Sequence, residues 1–151
     1  MRKFLLKMAA ILVATGWGMV ANAVPNIWTG GFQHGYYGSK IENTSKQTLY
    51  LGCDVANGLG HSVYFYSKEF PGEYGFGIDI NEYDLTFLID DEEVLLGHDL
   101  HQNYDEFFSE IISAKDIKVY KDNQLVGEFN PTETSRRSYL SKFKKSCQPE
   151  V

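Results

Sequence analysis

Apolar and polar positions alternate with a period of two over much of the chain, the spacing of half-buried strands. Gln47 to Val55 is rich in β-branched and aromatic residues and predicts a strand that carries Cys53. Asn57-Gly58 is a strong hairpin signal, and His61 to Ser67 is the returning strand, with Val63, Phe65 and Ser67 on one face and Tyr64 and Tyr66 on the other. Pro71-Gly72 marks a turn, followed by strands over Tyr74 to Ile80 and Asp84 to Asp90 and a short one over Glu93 to Leu96. Four acids in a row, Asp90 to Glu93, do not suit a packed strand interior and predict a turn tip. Ile117 to Tyr120 and Leu125 to Phe129 form a further pair around Asp122-Asn123, and Pro131 ends the second strand.

The period changes twice. Phe107, Phe108, Ile111 and Ile112 recur at helical spacing, which predicts a helix over Asn103 to Ser113 with Asn103 as its cap and Glu106 three residues on. Ser135 reads as the cap of a final helix that turns Tyr139, Leu140 and Phe143 inward and Arg136, Arg137, Lys142, Lys144 and Lys145 to water. Before all of these, Val24 to Tyr37 is dense in glycine and aromatics, Trp28, Phe32, Tyr36 and Tyr37 among them. It reads as an early strand with bends. The fold class expected is mainly β, an antiparallel β-sandwich or meander with two short helices, the second closing the C-terminus through a disulfide.

Residues 1 to 23 have the layout of a signal peptide. Arg2, Lys3 and Lys7 precede an apolar run from Met8 to Val20, and Ala21-Asn22-Ala23 offers the small residues a signal peptidase accepts. The run is shorter than the ~20 residues a membrane span needs, so no span is expected once it is cleaved. Residues 24 to 151 then form one domain in the periplasm, or outside the cell. Cys53 and Cys147 are the only two cysteines, and an oxidising compartment lets them pair. A loop of that length, cross-linked, stabilises by an order of 4 to 5 kcal/mol.

Charge sharpens the picture. Between Glu69 and Ala114 stand thirteen carboxylates and no Lys or Arg, while Lys115 to Lys145 holds eight bases against four acids. Cleaving the leader removes three bases and takes the formal net charge from −6 to −9. Such a surface repels nucleic acid and anionic lipid, and it speeds encounter with a protein that has a basic surface. Glu82, Asp84, Asp90, Asp91, Glu92 and Glu93, with Tyr83 and Tyr104 interspersed, are the candidate partner-binding residues. The alternative is that the charge keeps the protein soluble and pairs with the basic final helix.

Catalytic motifs are missing. No Gly-x-Ser-x-Gly elbow occurs, and His34, His61, His98 and His101 lie in no recognisable catalytic context. His98 and His101 have the spacing of a metal pair but lack a third ligand at a familiar distance. Asp79 to Asp84 alternates oxygens as a calcium loop does, without the required glycine and with Tyr83 at a ligand position. Neither a cofactor nor a dedicated metal is therefore expected, and Asp90 to Glu93 would hold a hard cation only weakly.

Ala114, Ile117-Lys118-Val119-Tyr120, Phe129, Leu140 and Cys147 form a pattern that resembles small periplasmic proteins of the invasion-associated-locus-B type. The resemblance covers roughly the last 40 residues and implies a β-sandwich with a non-catalytic role. The function expected is an exported binding protein, most concretely an inhibitor or immunity protein that engages a cationic envelope-acting toxin or enzyme through its acidic face. The alternatives are a small envelope sugar-binding module or enzyme that uses the aromatic N-terminal region around Trp28 and Tyr36, or a structural or stress-related envelope protein.

Overall fold

The computed structural model describes residues 24–57, 60–69, 74–76, 85–95 and 100–147. Two antiparallel sheets and two helices share one core. The first sheet has the order β1 (Thr29–Gln33), β2 (Tyr36–Glu42), β3 (Thr48–Asp54), β4 (Gly60–Tyr66) and β5 (Tyr74–Phe76). The second sheet has the order β7 (Glu92–Leu95), β6 (Leu85–Ile89), β8 (Ile117–Lys121) and β9 (Gln124–Phe129), with helix α1 (Leu100–Ser113) between β7 and β8 in the chain. A closing helix follows β9 in three continuous pieces: α2 (Glu133–Ser135), a π-helical segment (Arg136–Leu140) and α3 (Ser141–Cys147).

Three hairpins share one local solution. His34-Gly35, Asp90-Asp91 and Asp122-Asn123 each hold positive φ at both positions between paired strands. That is the backbone of the turn whose twist matches the strands on either side, and Asn, Asp and Gly tolerate it best. The glycine-rich start of the domain is thus a hairpin of two strands, where the sequence suggested one. Only the first two of the four acids form the turn tip, while Glu92 and Glu93 open β7, the end strand of its sheet among the described residues.

Alternation along the strands decides what is buried. Ile41, Leu49, Leu51, Cys53, Val63 and Phe65 from the first sheet meet Leu85, Phe87, Ile89, Ile117, Val119, Val126 and Phe129 from the second. The sheets touch directly where Phe65 meets Phe129 edge to face, 6.4 Å between centroids. A Cβ on Gly127 would come within 2.6 Å of the Phe65 ring, so glycine is required there for the approach. Elsewhere a relay of aromatic rings crosses the interior: Phe87 on β6, Phe107 and Phe108 on α1, Phe143 on α3 and Tyr37 on β2. The disulfide Cys53–Cys147, with Cα atoms 5.9 Å apart, ties the end of α3 to β3 as expected. His61 adds a ring contact of 3.2 Å to the Cys147 carbonyl.

The helix boundaries differ from those expected. α1 begins at Leu100, so Asn103 lies inside it and not at its start. Asp99 directly precedes that start in the sequence, and Asp is as favourable a cap type as Asn. The closing helix is capped by Thr132, whose extended backbone lets its hydroxyl accept from the Ser135 amide, while Ser135 is helical and buried. The π segment explains the second difference. A π turn brings residue i+5 above residue i, so Leu140 follows Ser135 inward, and Tyr139, expected to be buried, is 40% exposed.

Candidate functional site

The acidic residues singled out from the sequence do not form one uniform face. Asp90 is structural: its Oδ1 accepts from the amides of Lys115 and Asp116 at 2.8 and 2.9 Å, and its own amide donates to the Asp116 carbonyl. Asp91, 85% exposed, accepts from Lys118 Nζ at 3.3 Å, and Asp116 takes the same ammonium at 2.9 Å. Those two carboxylates hold Lys118 charged well above the usual lysine range. Glu92 is exposed and, with Glu106 on α1, lies within electrostatic reach of Glu110. Desolvation, then those two neighbours, raises the Glu110 carboxyl above its ordinary value. Glu93 and Tyr104 sit on β7 and α1. Glu82, Tyr83 and Asp84 lie outside the described residues, as do His98 and the rest of the calcium-loop-like segment 79–84.

Among the described residues no three of His, Cys, Asp and Glu gather as metal ligands would. Among the described residues the acid turn's ion pair joins Asp91 to Lys118 of β8, while on the closing helix Arg137 pairs with Glu133 and Lys144 donates to Ser109 Oγ on α1 at 2.8 Å. A cavity of about 430 Å³ between the sheets is lined by Asn26, Asn43 and Gln47. Its amides already serve the backbone: Asn43 Oδ1 accepts from the Ser45 and Gln47 amides, and Asn43 Nδ2 and Gln47 Nε2 donate to the Glu128 and Val126 carbonyls.

The outer face of the first sheet is the most distinctive surface. The register places Tyr36, Gly38 and Lys40 of β2, Tyr50 and Gly52 of β3, and Ser62, Tyr64 and Tyr66 of β4 on one side. Gly38 pairs with Gly52 at the centre. A Cβ on either would collide with a tyrosine, Tyr50 over Gly38 and Tyr36 over Gly52. The bare backbone is therefore the floor on which two rings lie flat, parallel to within 5° and 6.4 Å apart. Tyr64 continues the row 6.2 Å from Tyr50, and Tyr66 lies 6.1 Å beyond it. The hydroxyls are organised as well, with Tyr36 Oη hydrogen-bonded to Ser62 Oγ. Burial first, then the neighbouring phenols Tyr36 and Tyr66, pushes the Tyr50 hydroxyl well above the usual phenol range, so it stays neutral and able to donate. Toward β1 the row borders a groove of about 420 Å³ lined by Thr29, Gly31, Gln33, Lys40 and the two flat tyrosines.

The sequence signal for this face existed as Tyr-x-Gly at 36–38 and again at 50–52, beside Ser-x-Tyr-x-Tyr at 62–66. Without the register nothing says that these stretches are neighbours. Trp28, the other aromatic considered for sugar stacking, is 0% exposed and belongs to the core.

A family model described as YfjT matches residues 26–137, a span that holds both sheets, α1 and the tyrosine row. The chain belongs to the YfjT family. That match begins two residues before Trp28 and ends inside the closing helix, short of Cys147. No curated protein and no solved structure matches the chain. Among the described residues no helix is long and apolar enough to cross a membrane.

Proposed function

We propose that this YfjT-family protein is an exported, non-catalytic binding protein whose partner is a cationic protein, in the manner of an inhibitor or immunity protein. The observation that carries the reading is the row Tyr36, Tyr50, Tyr64 and Tyr66 on the outer face of a sheet whose inner face is core. Tyrosine presents large contact area at little entropic cost and favours interfaces, and its ring face also attracts Lys and Arg. The acidic turn and α1 steer such a partner toward the protein, with Asp91 and Glu92 exposed for that role. The disulfide supports an oxidising compartment, and the resemblance of the last third to invasion-associated-locus-B-type proteins points toward a role without catalysis.

The groove beside Tyr36 and Tyr50 favours a second reading, a sugar-binding module, because hydroxyl-bearing rings and an amide converge on it. Affinity capture from envelope extract separates the two when wild type is compared with Tyr50→Ala/Tyr64→Ala and with Asp91→Lys/Glu92→Lys. A basic protein retained by wild type, lost with the tyrosine pair and recruited more slowly by the charge variant is the expected result. Capture that neither variant disturbs overturns the reading. Binding on a glycan array that Tyr36→Ala abolishes replaces it with the sugar reading.

A further inference from the structure

Two described sheet edges are finished in opposite ways. Along β9 the outward carbonyls of Val126 and Glu128 are taken by the Gln47 and Asn43 amides, and Asn26 Oδ1 accepts from the Asn130 amide just beyond the strand. Along β1 nothing comparable occurs among the described residues. Thr29-Gly30-Gly31-Phe32-Gln33 contains no charge and no proline, the residues that usually protect an edge. It is exposed from Gly30 onward, and Phe32 is 62% exposed although its strand partner Tyr37 packs on the core.

We infer that β1 pairs with β1 of a second copy of this chain, antiparallel and centred on Gly31, to make a two-fold dimer with a continuous ten-stranded sheet. The strand is self-complementary in that register. Gly31 faces Gly31, Thr29 faces Gln33, and Phe32 of each copy lies opposite Gly30 of the other, where a ring covers bare glycine backbone. No like charges meet, although the chain as a whole is strongly acidic. A two-fold contact of this kind uses the same patch twice and closes on itself, so it yields a dimer and not a fibre. The outer groove of each copy, bordered by Gly31, then continues into the other across the axis. A five-residue ladder is small beside stable interfaces of ~1,200 to 2,000 Å², so the dimer is a micromolar one. This inference is independent of what the tyrosine row binds.

Gly31 gives a clean test because a Cβ there meets nothing within 4 Å, so larger residues enter without disturbing the fold. Sedimentation equilibrium of the oxidised protein, up to about 1 mM where weak specific contacts still associate, is expected to show a monomer–dimer equilibrium. Gly31→Glu and Gly31→Lys each place like charges against one another at the axis and weaken self-association at least about tenfold. Mixed in equal amounts, the two variants pair with each other and recover the dimer. Wild type that stays monomeric at the highest concentration overturns the proposal. So does a dimer that both single variants retain, or a mixture that fails to restore pairing while each variant keeps its native melting profile.

Discussion

The two faces of the five-stranded sheet are built from the same strands and do opposite things. On the inner face Leu49, Leu51, Cys53, Val63 and Phe65 are locked into the core, and the bond to Cys147 fixes the closing helix against them. On the outer face the alternate positions of those strands include Tyr50, Gly52, Ser62, Tyr64 and Tyr66, and the tyrosines stand in an ordered row. A strand frozen on one side holds the other side's rings in place while leaving Tyr36, Tyr50 and Tyr64 only half-buried. In the proposed binding role, stability and recognition fall to different residues, and substitutions can separate them.

The largest effect is expected on the inner side. Replacing both cysteines by alanine releases a link across a separation of 94 residues and should lower unfolding free energy by on the order of 4 to 5 kcal/mol, read from urea denaturation of oxidised wild type against the variant. A loss under about 1 kcal/mol would mean that the rings of Phe108, Phe143 and Tyr37 hold the closing helix by themselves. Next is Asn43→Ala, which strips acceptors from the Ser45 and Gln47 amides and a donor from the Glu128 carbonyl. A cost of about 2 kcal/mol is expected, and because β9 loses its seal, dynamic light scattering should report more association than in wild type.

The outer side should answer differently. Tyr64→Ala is expected to cost about 1 kcal/mol or less, the scale of a cross-strand aromatic pair, while partner capture falls strongly. A large drop in stability with capture intact would erase the distinction between the two faces. The smallest effect belongs to Glu110. Its folded carboxyl titrates above the ordinary 4.5, so the folded state holds its proton more tightly than the unfolded chain. The associated stability is full below the ordinary value and disappears as pH rises through the raised one. Glu110→Gln should therefore be slightly more stable than wild type at neutral pH, with the advantage vanishing in acid. Solvent screening keeps the difference below about 0.5 kcal/mol, within reach of paired melts at pH 4 and pH 7.

Local pattern carried much of the fold. Strand positions, the face of Val63 and Phe65, the two turn signals at Asp90-Asp91 and Asp122-Asn123 and the helical phase of Phe107 to Ile112 follow from periodicity and turn chemistry that act over a few residues. The helix starts misled because several residue types cap equally well, so Ser135 was read as the cap where Thr132 takes that place, and Asn103 was read as a start that lies inside α1. Tyr139 misled because the π turn inserts one residue, so that Leu140 and Phe143 face the core as expected while Tyr139 does not. The candidate site was less legible. Carboxylates adjacent in sequence were divided by the structure between a turn support, an ion pair and an exposed cluster, since hydrogen-bond geometry separates neighbours that composition treats alike.

The sequence by itself determined the β class and the alternation of faces, because apolar burial with period two is written in each strand. Pairing of its two cysteines was expected from the signal-peptide layout together with their number, since export would leave a lone pair few other fates, and the structure joins them. Only the tertiary structure decided that Gly38 faces Gly52, that Tyr36 and Tyr50 lie over them, that Asn43 seals β9 and that β1 is left open. Those are relations between segments 12 or more residues apart. Their register depends on how all the strands bury their apolar sides at once, which no single window of sequence contains.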